Sequence, residues 1–316
     1  MEWCSTRTDR DTVDTVTVRS GTAPLSDHQR EAQTVRLLDY GDCIGLGEYI
    51  LHSRFQRASN FLCGENLISI VDRTIGGGPF NLVVDGYDSL TGDRVLVRQD
   101  SIQIDDIQFI CHGTLRYNSS IDILPEIDPQ RLQENLGHCK KILKDLASSR
   151  SLAFLFDGPK HSNAENSFES VLQQHFFEGT RMIAEGKILE GVSILKGIGF
   201  GLTPSGDDLI SGLLMALNVR KLIYRENLQS LIEDIFGMVK NSNPLSMAFI
   251  RSAKDGRPFE KLKRMISSLF GSDTKELVRR MSDLLTVGAT SGADIAVGLI
   301  IGLRIGLEGE QRSHGH

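Results

Sequence analysis

The feature that most restricts how this chain can fold is an ungapped repeat. The segment SGDDLISGLLMAL starts at Ser205, and SGADIAVGLIIGL starts at Ser291, 86 residues later. Both fit Ser-Gly-x-Asp-x-x-x-Gly-Leu-x-x-x-Leu. Ser205, Gly206, Asp208, Gly212, Leu213 and Leu217 align with Ser291, Gly292, Asp294, Gly298, Leu299 and Leu303. Serine is a strong helix N-cap, and an acid three positions later gives a capping-box-like arrangement with Asp replacing Glu. An acid in the first turn also suits the helix dipole. The apolar runs then predict two matched, buried helices. Gly212 and Gly298, joined by Gly302 and Gly306, would let another helix approach closely.

Capping does not account for both Asp207 and Asp208. The loop before them, GIGFGLTPSGDD, carries Gly197, Gly199 and Gly201 at alternate positions, which permits positive φ and lets a ligand touch backbone. N–H groups from Gly201 to Gly206, with the hydroxyls of Thr203 and Ser205, form a candidate anion cradle. Thr290 and Ser291 offer the same groups in the second copy. Acids there would repel an anion unless a cation or an NH₂ group lies between. The candidates are therefore Mg²⁺ on Asp207 and Asp208, or an amide or carbamoyl group. If the two helix starts meet, Asp207, Asp208 and Asp294 share one pocket as the candidate catalytic set. The loop lacks the Gly-Lys-Ser/Thr end of an ATP-binding Walker loop, and it does not sit in a strand–loop–helix unit like a dinucleotide fingerprint.

The 316 residues allow two domains. Residues 1–40 read as a polar, loosely attached leader, with one candidate edge strand at Val13–Val18. Residues 41–124 read as strands: NLISIVDRT, FNLVVDGY, DRVLVRQDSIQI and IQFICHG are short apolar or alternating runs. SLTGDR (Ser89–Arg94) reads as a hairpin turn, Asp105–Asp106 as an exposed turn, and Tyr49–Cys63 as a candidate helix interrupting the strands. Pro125 and Pro129 mark a change of character. Residues 125–310 read as helices at 130–148, 164–184, 187–196, 205–222, 226–240, 244–254, 258–270, 273–286 and 291–307, with LAFLFDG (Leu152–Gly158) as the best strand candidate. Strands first and helices second predict an α+β chain, its N-terminal β domain a barrel or sandwich and its C-terminal domain helical.

The net charge of −6 argues against a nucleic-acid partner. No apolar run approaches the roughly 18–20 residues that span a membrane. No basic-then-apolar leader opens the sequence, and the five cysteines form no Cys-x-x-Cys pair. The expected location is a reducing cytoplasm.

GIGFGLTPSGDDLISGLL and LLTVGATSGADIAVGLIIGL resemble the two signature segments of the AllH family. NPLSMAFIRSAKDGRPFEKLKRMISSL and LHSRFQRASNFLCGENLISIVDRTIGGGPFNLVV are similar to its intervening and N-terminal segments, so the resemblance runs from about 45 to 307. It implies a subunit of an oxamate carbamoyltransferase from anaerobic allantoin degradation, a branch of purine catabolism. That enzyme interconverts oxalurate plus phosphate with oxamate plus carbamoyl phosphate. The implied partners are other subunits of the complex, one similar to acyl-CoA synthetase subunits, together with a small-molecule substrate; a homo-oligomer is left open. Phosphorolysis of an N-carbamoyl group needs anion donors and a proton for the leaving nitrogen. Arg251 could pair with a carboxylate or phosphate, or form an inter-helix salt bridge. His52 and Arg54 could face the pocket or serve packing. Gly77 and Gly78, in TIGGGPFNL, read as a tight turn first and a ligand contact second. His112 beside Cys111 reads as a strand pair on opposite faces, and KDGRPFEKLKR as a solvated face or partner contact. Two other functions stay open: a non-catalytic scaffold or regulatory subunit, and a stand-alone phosphate- or nucleotide-handling enzyme.

Overall fold

A computed structural model describes residues 35–121, 128–158, 167–240 and 243–305. The leader up to residue 34, with its candidate strand at Val13–Val18, and Pro125 lie outside those residues.

Nine strands come first: β1 Arg36–Gly41, β2 Gly47–Arg54, β3 Ala58–Cys63, β4 Asn66–Asp72, β5 Asn81–Asp85, β6 Arg94–Val97, β7 Ser101–Ile104, β8 Ile107–Ile110 and β9 Leu115–Tyr117. They form one curled sheet, a half-barrel, in the order β8-β7-β6-β2-β3-β4-β5-β1-β9. Only β4–β5 and β1–β9 pair in parallel. One face packs Tyr49, Phe61, Ile68, Ile70, Leu82 and Val95 into a core. β4 is buried along nearly its whole length, because its other face, through Leu67, meets Phe80, Leu245 and Ala248. A central strand covered on both faces reads as a continuous apolar run, as this one does.

The helices are α1 Pro129–Leu146, α2 Ser167–Ala184, α3 Ile188–Leu195, α4 Ser205–Tyr224, α5 Gln229–Val239, α6 Pro244–Lys254, α7 Glu260–Leu269, α8 Thr274–Leu285 and α9 Ser291–Arg304. Their bounds follow local chemistry. The Asp128 side chain accepts from the N–H groups of Gln130 and Arg131 ahead of Pro129, and Asp273 and Asn243 cap α8 and α6 in the same way. One large apolar core fills the helical region, with α4 and α9 buried inside it.

Four local expectations are corrected. Tyr49–Cys63 is not helical but the β2–β3 pair. A bulge between Leu51 and Ser53 shifts the register at His52, breaking the alternation so that the spacing imitates a helix. SLTGDR is not a hairpin, because β5 and β6 are not neighbours in the sheet. It is a crossover held by Arg54, whose guanidinium donates to the carbonyls of Leu90, Thr91 and Gly92. Leu152–Phe156 is a 3₁₀ turn rather than a strand. Finally, Ser205 and Ser291 are the first helical residues; Pro204 and Thr290 occupy the cap positions, and neither makes a side-chain cap bond. Pro204, with ψ 140°, supplies the extended cap geometry, and its carbonyl accepts the Asp208 N–H at 3.1 Å.

Candidate functional site: the twin helix starts

α4 and α9 lie against each other in parallel, and glycine permits the contact. A methyl group at Gly212 would collide with the carbonyl of Ile295, and one at Gly298 with the carbonyl of Leu209. The first glycine of each motif repeats the device six residues earlier: Gly206 presses on the Leu195 carbonyl at the end of α3, and Gly292 on the Leu284 carbonyl at the end of α8. The two copies are therefore equivalent helix–loop–helix units facing each other, with their N-termini together.

Parallel helices place two positive dipole ends side by side, which is unfavourable unless negative charge lies there. Three acids stand there, Asp207, Asp208 and Asp294, at 1 %, 3 % and 0 % exposure. Asp208 crosses to the other copy: Thr203 Oγ1 donates to its Oδ2 at 3.1 Å, and Thr203 Oγ1 lies 3.2 Å from Ser291 Oγ. Asp294 Oδ1 accepts the N–H of Leu152 at 2.7 Å. The hydroxyls of Ser205 and Thr290 stand beside this carboxyl, yet its Oδ2 is buried with no hydrogen-bond partner. Asp207 Oδ1 accepts the N–H of Gly197 at 2.7 Å, and its Oδ2 is likewise buried and unpartnered.

Burial dominates the electrostatics. It pushes the Asp208 carboxyl up to about 8; the charges of Asp294 and Asp207 add to the rise, and the hydroxyls of Ser291 and Thr203 oppose it. Burial also raises Asp294 to about 6, against the pull of the Leu152 N–H and the neighbouring hydroxyls.

The loop from Gly197 to Leu202 closes over α4. Gly197, Gly199 and Gly201 all have positive φ, at 70°, 122° and 98°. Its donors are partly spent: the Gly206 N–H goes to Ile198 O at 2.8 Å, and the Asp207 N–H to Pro204 O at 2.9 Å. The candidate cradle is thus narrower than the sequence suggests, resting on the half-buried hydroxyls of Thr203, Ser205, Thr290 and Ser291. The loop tip presents Phe200 and Leu202, 70 % and 42 % exposed.

Residues 195–303, from the end of α3 to the last leucine of the repeat, match the family model described as oxamate carbamoyltransferase subunit AllH. Over that segment the chain is similar to the AllH family. The match spans both helix starts and does not extend to the sheet, where the sequence resemblance had been followed as far as residue 45. No curated protein and no solved structure matches the chain. No helix among the described residues is long and apolar enough to cross a membrane.

Within the matched segment the three aspartates and four hydroxyl residues converge; the other sequence candidates have different partners. Arg251 pairs with Glu65 at 2.6 Å and with its carbonyl at 3.0 Å, tying α6 to the β3–β4 turn. His52 is exposed on β2. The Gly77 N–H donates to Glu260 Oε2 at the start of α7 at 2.8 Å, and its carbonyl accepts the Glu260 N–H at 2.9 Å. A Cβ at Gly77 would meet the Tyr117 ring at 2.6 Å, and one at Gly78 would meet Asn81 at 2.7 Å. These glycines let the turn dock on its neighbours. Among the described residues no group of three or more His, Cys, Asp or Glu could hold a metal ion, and Asp207 and Asp208 turn to different partners. The donor set does not fit Mg²⁺; two orphaned acceptors beside hydroxyls fit N–H donors better. Sequence reading missed Leu152, which reaches Asp294 from 142 positions away.

Proposed function

We propose that this chain is a subunit of a carbamoyltransferase complex of the oxamate carbamoyltransferase kind, and that its twin helix starts bind the carbamoyl–amide portion of the substrate. The observation that carries the reading is a pair of buried carboxyl oxygens that make no hydrogen bond in this arrangement, Asp207 Oδ2 and Asp294 Oδ2, the second with the Ser205 and Thr290 hydroxyls beside its carboxyl. Each unmet acceptor costs about 1–3 kcal/mol, which a bound N–H would recover. The AllH match supports a subunit of that kind of complex.

Phosphorolysis of oxalurate forms a bond between a phosphate oxygen and the carbamoyl carbon and breaks the bond from that carbon to the amide nitrogen. The departing nitrogen needs one proton. Asp208, held protonated near neutral pH by its burial, has one to give, and the proton carried in by phosphate restores it. Asp207 and Asp294 orient the NH₂ group, and Thr203, Ser205, Thr290 and Ser291 supply hydroxyl donors for oxygen. Partner subunits dock beside the exposed Phe200–Leu202 tip.

The second reading is a scaffold subunit in which the acids only offset two helix dipoles. The glycine collisions along α4 and α9 favour it. Asp208→Asn separates the two in the reconstituted complex. The variant keeps shape and hydrogen bonds but cannot supply the proton. Expected are intact assembly by size-exclusion chromatography and a rate of carbamoyl phosphate formation lower by about 100-fold or more. Unchanged activity in an assembled complex would leave the scaffold reading.

A further inference from the structure

Two adjoining cavities lie where α7 and α8 meet the loop after β4, away from the contacts of the twin helix starts. One, of about 270 Å³, is lined by Arg73, Thr74, Gly76, Lys261 and Asp283. The other, of about 540 Å³, continues past Arg264 and Arg280 to Tyr117, Ser267 and Ser268. Together they offer the space of an ordinary small-molecule site.

The charges in this cleft do not cancel. Glu260 is spent on the Gly77 N–H and on Arg264. Glu276 is spent on Arg279 and Arg280, and Asp283 lies 3.7 Å from Arg280. That leaves Arg73, Lys261 and the neighbouring Arg57, none of which has an ion-pair partner among the described residues. Lys261 donates only to Thr286 Oγ1, at 2.9 Å, and Arg57 to Thr74 Oγ1, at 3.2 Å. Asp72 lies near both arginines, but its carboxylate is bound to the N–H and hydroxyl of Thr74, at 2.9 and 2.6 Å. Burial and the nearby Arg57 charge hold the Lys261 ammonium below its ordinary range, against the pull of Asp283 and Glu260. An incoming anion would relieve that.

We propose that this cleft is a second binding site, in which Arg73 and Lys261 hold a small oxyanion, a phosphoryl or carboxylate group, while Arg57 adds to the field from behind Thr74 and the larger cavity takes the rest of the ligand. The proposal does not depend on the function assigned to the helix starts.

The test is calorimetric titration of the full chain, at constant ionic strength, with inorganic phosphate and separately with acetate. Each titration is repeated on Arg73→Gln, Lys261→Gln, Thr203→Val at the helix starts, and Lys141→Gln on the exposed side of α1. The expected result is saturable binding of at least one anion. It should weaken about tenfold, or about 1.4 kcal/mol, in each of the two cleft variants. The binding lost in the cleft variants should be retained in Thr203→Val and Lys141→Gln. Arg73 is exposed, so its variant reads the site even if Lys261→Gln unfolds. Absence of saturable binding of either anion overturns the proposal. So does a loss in Thr203→Val instead, which would move the anion to the helix starts, or an equal loss in Lys141→Gln, which would reduce it to general charge.

Discussion

Asp208 and Asp294 are carboxyls whose protonated form the fold favours, and this gives the molecule a pH dependence of definite sign. Their pKa values rise from 3.8 to about 8 and about 6. Between the unfolded and folded values the native state binds more protons than the unfolded chain, so stability falls as pH rises. The contribution is complete below pH 3.8 and is lost as pH climbs through about 6 and then about 8. Within that window each such group costs about 1.4 kcal/mol per pH unit. Melting temperature followed by circular dichroism should therefore drop from about pH 4 to about pH 8. Asp208→Asn should flatten the upper part of that slope and melt above wild type at the alkaline end. A parallel slope in the variant would mean that Asp208 is ionised in the fold. The aspartates and hydroxyls at this scale were legible because an ungapped repeat singled them out. Leu152 was not legible: its contribution is a backbone N–H, which every residue except proline possesses.

At the scale of the element, helix positions could be read to within a few residues because caps and apolar spacing are local properties. Strands were harder. The bulge at His52 disguised β2, and the crossover after β5 resembled a turn because pairing partners are set by the whole sheet. The glycines of α4 and α9 were legible as close-approach sites, and the structure identifies what approaches. Gly212→Ala would drive a methyl into the Ile295 carbonyl, a backbone atom that cannot rotate away. We expect a loss of about 3 kcal/mol in urea denaturation. Gly237→Ala, at an exposed position of α5 with nothing within 4 Å of the added methyl, should instead gain about 0.5–1 kcal/mol through helix propensity. Equal effects at the two sites would mean that the α4–α9 contact tolerates widening.

Across the whole molecule, the sheet and the helices have separate large cores, joined by a small apolar cluster and a ring of polar contacts. Arg251–Glu65, Lys263 to the Asn118 carbonyl and Tyr117 to the Pro258 carbonyl belong to that ring. Asp42 is its most connected member. One oxygen accepts the Ser119 hydroxyl at 2.7 Å; the other accepts the Ser119 N–H at 3.0 Å and lies 3.3 Å from Arg257. A single side chain thus fixes the chain after β9 to the end of β1 and both to the α6–α7 link. Nothing in the sequence marked it, because its partners lie 77 and 215 positions away. Asp42→Ala leaves the Ser119 N–H and hydroxyl without their acceptor and the Arg257 guanidinium with Ser119 Oγ alone, and we expect a loss of about 2–3 kcal/mol. The loss should be local. Hydrogen exchange at the Ser119 amide and along β9 should accelerate, while amides in the middle of α4 and α9 keep wild-type protection, since their core makes no use of the sheet. If the α4 and α9 amides accelerate by the same factor as β9, the two cores open as one unit. The polar ring would then be part of the global fold rather than a seam between two bodies.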